Sequence, residues 1–209
     1  MSSHEADIKS YFSKTFAEHG ETSEGLDYNG RQSHYLRLGV LVNQIDAFEN
    51  FSVNDVGCGF GSLLDALYGS GRTNFDYMGY DLVGEMTDLG RQTWTSKNPR
   101  LEFITGGTDK LKTADYSLAS GTFNIKQATP HDDWHEYVLG CLRDMLEHTK
   151  VKLVVNFLTS YSDAEYMRDD LYYPDPREMF DFGMKLTGSA AIRHNYGLYD
   201  FTLIINKNR

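Results

Sequence analysis

The run Val53-Asn54-Asp55-Val56-Gly57-Cys58-Gly59-Phe60-Gly61 constrains this chain more than any other stretch. An apolar-flanked segment, Phe51 to Val56, enters three glycines at every second position, and a helix-like pattern from Ser62 to Tyr68 follows. Glycines so spaced let a strand turn sharply into a helix while the backbone comes close to a ligand, an approach any Cβ would block. Twenty residues after Gly61 a second apolar run, Phe75-Asp76-Tyr77-Met78-Gly79-Tyr80, ends in Asp81. A carboxylate at the tip of a neighbouring strand can accept both hydroxyl hydrogens of a ribose. Together these features imply a nucleoside-containing ligand.

The loop's details narrow its chemistry. A dinucleotide fingerprint reads G-x-G-x-x-G, with a pyrophosphate over the helix N-terminus. Here the third glycine comes one position early, and Asp55 precedes the first glycine by two. A negative charge there repels a phosphate and suits a ligand bearing an ammonium and a sulfonium. The segment Asp55-Val56-Gly57-Cys58-Gly59-Phe60-Gly61, with Asp81 closing the second strand, resembles the first two motifs of the class I S-adenosylmethionine (SAM)-dependent methyltransferases. The resemblance covers roughly Asp55 to the C-terminus, sharp over those two motifs and loose beyond them. It implies SAM as cofactor.

Alternation along the chain predicts the fold. An amphipathic helix runs around Ile8 to Glu18, and Tyr35, Leu38, Leu41, Val42 and Ile45 give Arg31 to Phe48 the spacing of a core-packed helix. Strands are expected at 51–56, 75–80, 101–105, 116–119, 151–158, 190–194 and 200–206. Helices are expected from Ser62, over Glu85 to Trp94, from Pro130 to His148 and from Pro176 to Leu186. Repeated strand-helix units predict a three-layer α/β sandwich with a seven-stranded, mostly parallel, Rossmann-like sheet, ending in an antiparallel hairpin at Asn195-Tyr196-Gly197. Residues 1–50 are expected as a helical lid of the same domain, and 51–209 as the SAM-binding, methyltransferase-like domain.

With 209 residues the chain is large enough for one such core. Its formal net charge of −10, with no basic run, argues against a nucleic-acid partner. No stretch approaches a membrane span, and the N-terminus is polar. Two cysteines, one inside the glycine loop, suggest a reducing cytoplasm rather than a disulfide framework. A monomer or homodimer acting on a small molecule is the expected form.

In open parallel sheets the ligand lies across the carboxyl ends of the strands. That rule nominates Asp55, Gly57, Cys58 and Gly59 from the first strand and Asp81 with Leu82, an apolar floor for adenine, from the second. It adds Gly106, Gly107 and Thr108 from the third, and Ser120, Gly121, Thr122 and Phe123 from the fourth. By resemblance, an acid after the third strand often accepts the adenine amino hydrogens; here Thr108 or Asp109 is offered for that role. The resemblance also makes the fourth-strand loop face the methyl group, where the absence of a proline pair argues against nucleic-acid base N-methylation. Tyr28 could close over the sulfonium, and Arg31 or Arg37 could meet the methionine carboxylate; an ordinary polar turn fits the same residues. His131 and His135 lie one helical turn apart. A dipole-serving helix start fits them better than a metal site, and no metal is expected. His131 is the candidate general base. Tyr161, Tyr166, Tyr172 and Tyr173 crowd the segment after the fifth strand, a substrate wall, where Tyr161 and Tyr172 join His131 as the candidate catalytic residues.

Methyl transfer is an in-line displacement that demands alignment more than a special side chain. A small-molecule methyltransferase, possible in secondary metabolism or a sugar pathway, is the leading expectation. An enzyme that cyclises or cleaves the aminobutyrate arm of SAM, releasing methylthioadenosine, and a non-catalytic SAM-binding regulator remain open beside it.

Overall fold

Apolar runs flanked by helical units settle into one sheet with helices on both faces. The computed structural model describes residues 3–22, 25, 30–96 and 98–207. Its strands are β1 (Glu49–Val56), β2 (Asn74–Asp81), β3 (Leu101–Thr105), β4 (Ala114–Ser120), β5 (Thr149–Leu158), β6 (Ala190–Arg193) and β7 (Asp200–Asn206). They lie in the order β3-β2-β1-β4-β5-β7-β6. The pairs among the first five are parallel, and β7 runs antiparallel to both β5 and β6. The expected closing hairpin is present, but it folds back so that β7 slots between β5 and β6. Its residues Phe201 to Ile205 are buried, whereas β6 is left partly exposed at the edge.

The helices are α1 (Ser3–His19), α2 (Arg31–Val42), α3 (Ser62–Gly69), α4 (Gly84–Trp94), α5 (His131–Glu147) and α6 (Pro176–Thr187). Strand alternation divides the core into two layers. Leu153, Val155 and Phe157 of β5 point toward Val138, Leu142 and Met145 of α5. Val154, Leu118 and Val53 point the other way, onto Leu38 and Leu41 of α2 and Leu63, Leu64 and Leu67 of α3. Each fully buried side chain of this size contributes about 1.5–3 kcal/mol, so both layers are needed to hold the sheet.

One helix is shorter than its pattern predicts. The apolar spacing over Arg31 to Phe48 continues past Val42, yet the helix stops there. Arg72 reaches under the chain, donating from Nη2 to the Ile45 carbonyl at 2.6 Å and from Nε to the Ala47 carbonyl at 3.0 Å. Those bonds capture carbonyls in an extended link, and Ile45 is buried without being helical.

Candidate functional site

The glycine loop turns the end of β1 into α3. Gly57, Gly59 and Gly61 have φ of 72°, 54° and 96°, the left-handed region that side chains resist. The N–H groups of Gly57 and Cys58 both donate to the Tyr80 carbonyl, at 2.8 and 3.0 Å, locking the loop to the end of β2. Space demands glycine at 57 as well: a Cβ would lie 2.5 Å from Thr122 Oγ1, which itself donates to the Val56 carbonyl at 2.7 Å.

Asp81 is held across this loop. Its Oδ2 accepts from the Gly59 N–H at 2.8 Å and its Oδ1 from the Val83 N–H at 2.9 Å. Asp55 lies beneath, accepting from the Tyr77 hydroxyl at 2.7 Å. Burial raises the Asp55 carboxyl to about 7; the Tyr77 hydrogen bond opposes the rise and the nearby Asp81 charge adds to it. Burial also raises Asp81, against the pull of its backbone donors. Both carboxyls line a single crevice at the carboxyl ends of β1, β2 and β4. Among its described wall residues the basic side chains are Lys9 and His34, and burial and the neighbouring Arg37 hold His34 down at about 4, so it is neutral. Two buried acids with so little compensating charge suit a cationic ligand and oppose a diphosphate.

Most of the nominated residues meet at this crevice. Asp55, Gly57 and Cys58 come from the β1 turn, Asp81 and Leu82 from β2, Gly106 and Thr108 from the β3 turn, and Ser120, Gly121 and Phe123 from β4. Gly59 contributes its N–H to Asp81 and is not itself wall. Others are not brought there. Arg37 Nε is engaged at 2.7 Å by Asp200 Oδ2, so it belongs to a buried ion pair rather than to the crevice wall. Tyr172 is completely buried against Phe157, with its hydroxyl 2.6 Å from His135 Nδ1, so its nomination as a catalytic residue gives way to a core role. His131 opens α5 in contact with solvent, its ring stacked on His135, and Tyr161 is exposed beside His194. Neither is a wall residue. Tyr28 lies outside the described residues. No group of three or more potential metal ligands converges among the described residues.

The sequence reading did not nominate Ile8, Lys9 and Phe12 of α1 or His34 of α2 as wall. Ile8 and Phe12 are one helical turn apart, a usable signal for a buried face. His34 stands one turn before Leu38 on the core stripe, which marks it as a polar residue in an apolar position.

Beyond Ser120 a polar row crosses the sheet. Ser120 pairs with Asn156 on β5, and Asn156 with Thr202 on β7. The Asn156 Nδ2 donates to the Tyr196 hydroxyl at 3.2 Å, and that hydroxyl lies 3.2 Å from Thr202 Oγ1. Asp200, two residues before Thr202 on the same face, completes the cluster with Arg37. Asn156 Oδ1 and Asp200 Oδ1 are buried and have no hydrogen-bond partner among the described residues.

This topology and crevice define a Rossmann-like fold with an acidic site at the carboxyl ends of its central strands. Residues 53–152 match the family model described as a methyltransferase domain. The chain is 38% identical over 164 residues to the Mycobacterium tuberculosis protein Rv1506c, a methyltransferase by name, with 78% of this chain and 97% of that one covered. Among solved structures it is similar to the magnesium protoporphyrin IX methyltransferase ChlM of Synechocystis PCC 6803 with bound SAM, at 13% identity and a TM-score of 0.69. That match covers 99% of this chain and 98% of ChlM. The plantazolicin methyltransferase BpumL is similar at 13% identity and a TM-score of 0.59, with 98% of each chain covered. The chain belongs to the class I S-adenosylmethionine-dependent methyltransferases, and with that membership comes SAM as its cofactor.

Proposed function

We propose that this protein methylates an oxygen or nitrogen of a small-molecule acceptor. The observation that carries the reading is the crevice itself, where the β4 turn of Ser120, Gly121, Thr122 and Phe123 borders the same space as the acids Asp55 and Asp81. The names of the two fold relatives, which concern magnesium protoporphyrin IX and plantazolicin, support an acceptor of this scale. A net charge of −10 opposes a nucleic-acid acceptor.

SAM supplies a methyl group already activated by its sulfonium. The protein's own part is alignment, exclusion of water and control of charge. Asp81 would hold the ribose hydroxyls, with Leu82 as the floor for adenine. Asp55 would face the cationic methionine end, and the turn at Ser120 and Gly121 would border the reacting methyl. Neutral His34 offers an uncharged hydrogen-bonding group in the wall, one that adds no repulsion to a cation. Helix α1 covers the crevice with Ile8 and Phe12 as a lid. The free, buried Cys58 and Cys141 fit a reducing cytoplasm.

Incubating the purified protein with SAM, with and without a metabolite extract, and identifying products by mass spectrometry tests this. S-adenosylhomocysteine formed only with extract is the expected result. Methylthioadenosine formed without any acceptor would replace methyl transfer with cleavage of the cofactor, and unchanged SAM would replace it with a binding role.

A further inference from the structure

Across β5 from the crevice, the same end of the sheet carries an exposed pair of rings that is no part of the crevice wall. Tyr166 lies in the loop after β5 and Tyr199 immediately precedes β7. Their ring centroids stand 6.1 Å apart with the planes tilted by 40°, and the residues are 63% and 46% exposed. Single exposed rings are common on surfaces, but two in contact, with the exposed Met167 next in the chain, form a patch.

The backbone beneath the rings is tied down. The Thr159 N–H donates to the Tyr199 carbonyl at 3.1 Å, and the Tyr166 N–H to the Asp163 carbonyl at 2.9 Å. The N–H groups of Lys126 and Gln127 both donate to the Asp170 carbonyl, at 3.0 and 3.1 Å, which fastens the tyrosine-bearing loop to the segment after β4.

The charge around the pair has one sign. The Tyr199 hydroxyl donates to Asp163 Oδ2, and that bond pushes its ionisation upward, with the Asp163, Tyr166 and Glu165 charges adding to the rise. The neighbouring arginines are engaged elsewhere, Arg168 by Asp170 and Arg177 by Asp175. Neither Asp163 nor Glu165 has an ion-pair partner among the described residues. Tyr161, a third exposed ring, faces His194 at 6.0 Å and stands apart from the pair. Ring faces attract cations through their quadrupole, and adjacent carboxylates add Coulomb attraction. An anionic occupant would be repelled by both.

The pair is also within reach of the reacting centre. Ser120 of the crevice wall pairs with Asn156, and Asn156 with Thr202. Tyr199 stands two strands across from Ser120 and three residues beyond that row, which is about 10 Å in each direction and roughly 14 Å in all.

We propose that Tyr166 and Tyr199, with Asp163 and Glu165, form a subsite for an ammonium or guanidinium group, and that the methyl acceptor carries such a group away from its reacting atom. The acceptor half of this proposal rests on the small-molecule reading above; the subsite itself does not.

NMR of protein with ring-labelled tyrosines tests the subsite, by titration with N-acetyl-arginine amide and with its uncharged isostere N-acetyl-citrulline amide. The Tyr166 and Tyr199 signals should shift and saturate at on the order of 5- to 30-fold lower concentration of the arginine probe. The double variant Asp163→Asn/Glu165→Gln should reduce that preference to within about threefold, while its unchanged calorimetric affinity for S-adenosylhomocysteine shows that the fold is intact. Equal responses to the two probes, or a preference that survives in the double variant, overturns the subsite. Passing the metabolite extract over a cation exchanger tests the acceptor: S-adenosylhomocysteine should form with the retained fraction. Formation with the unretained fraction alone overturns the cationic acceptor and leaves methyl transfer standing. No formation with any fraction counts against the proposed function, while arginine-selective shifts still uphold the subsite.

Discussion

Asp55 couples folding, acidity and cofactor binding through one buried carboxyl, and Asp55→Asn isolates it. The substitution keeps an oxygen for the Tyr77 hydroxyl and removes the charge. The carboxyl rises from its ordinary 3.8 to about 7 on burial. At about 1.4 kcal/mol per pH unit, ionised Asp55 costs the folded protein up to about 4 kcal/mol. Below pH ~4 the group is protonated in both folded and unfolded chains and costs nothing. Between pH ~4 and ~7 only the unfolded chain ionises, so stability falls as pH rises, and above pH ~7 the full cost is present. Between about pH 5.5 and about pH 8.5 wild-type protein should therefore lose roughly 2 kcal/mol more than Asp55→Asn. For a chain of this size that corresponds to a Tm difference of about 4–8 °C. Taking the difference between the two proteins cancels the titration of His34 and Asp200, which do not act on Asp55. Binding of the SAM cation should favour the ionised form and release about half a proton near pH ~7, read as a dependence of calorimetric heat on buffer ionisation. Superimposable pH–stability curves for the two proteins, with no buffer dependence in the wild type, would refute the reasoning.

Asp81→Ala frees the Gly59 and Val83 N–H groups and, on the proposed ribose role of Asp81, removes charge-assisted bonds to the cofactor; calorimetry should show SAM affinity weakened by about 1–3 kcal/mol. Arg37→Met strands the Asp200 carboxylate, which is fully buried, and urea denaturation should register a loss of about 3 kcal/mol. Tyr172→Phe deletes the hydroxyl bonded to His135 at 2.6 Å; it should cost about 1 kcal/mol of stability and leave the rate of S-adenosylhomocysteine formation unchanged, since the ring lies in the core.

What was readable from the amino-acid order was whatever local chemistry decides. Three left-handed glycines and a downstream acid specify a turn and its ligand edge without reference to distant residues, and the crevice around Asp55 and Asp81 follows from them. Strands 101–105 and 200–206 begin and end where their apolar runs do. What escaped depends on contacts between remote segments. Arg37 looked like a ligand-binding cation because nothing nearby hints at Asp200, its partner 163 positions away. Tyr172 sat in a tyrosine-rich stretch that reads equally as a substrate wall or as core, and only its packing on Phe157 decides.

The position of β7 bears on how the protein can be made and cut. In synthesis β5 emerges well before the strand that flanks it, so until β7 arrives its rim presents unpaired amide groups on a very apolar ribbon. A nascent or truncated chain lacking residues 200–206 would be sticky toward other such edges, and expression of shortened versions should yield inclusion bodies rather than a smaller working enzyme.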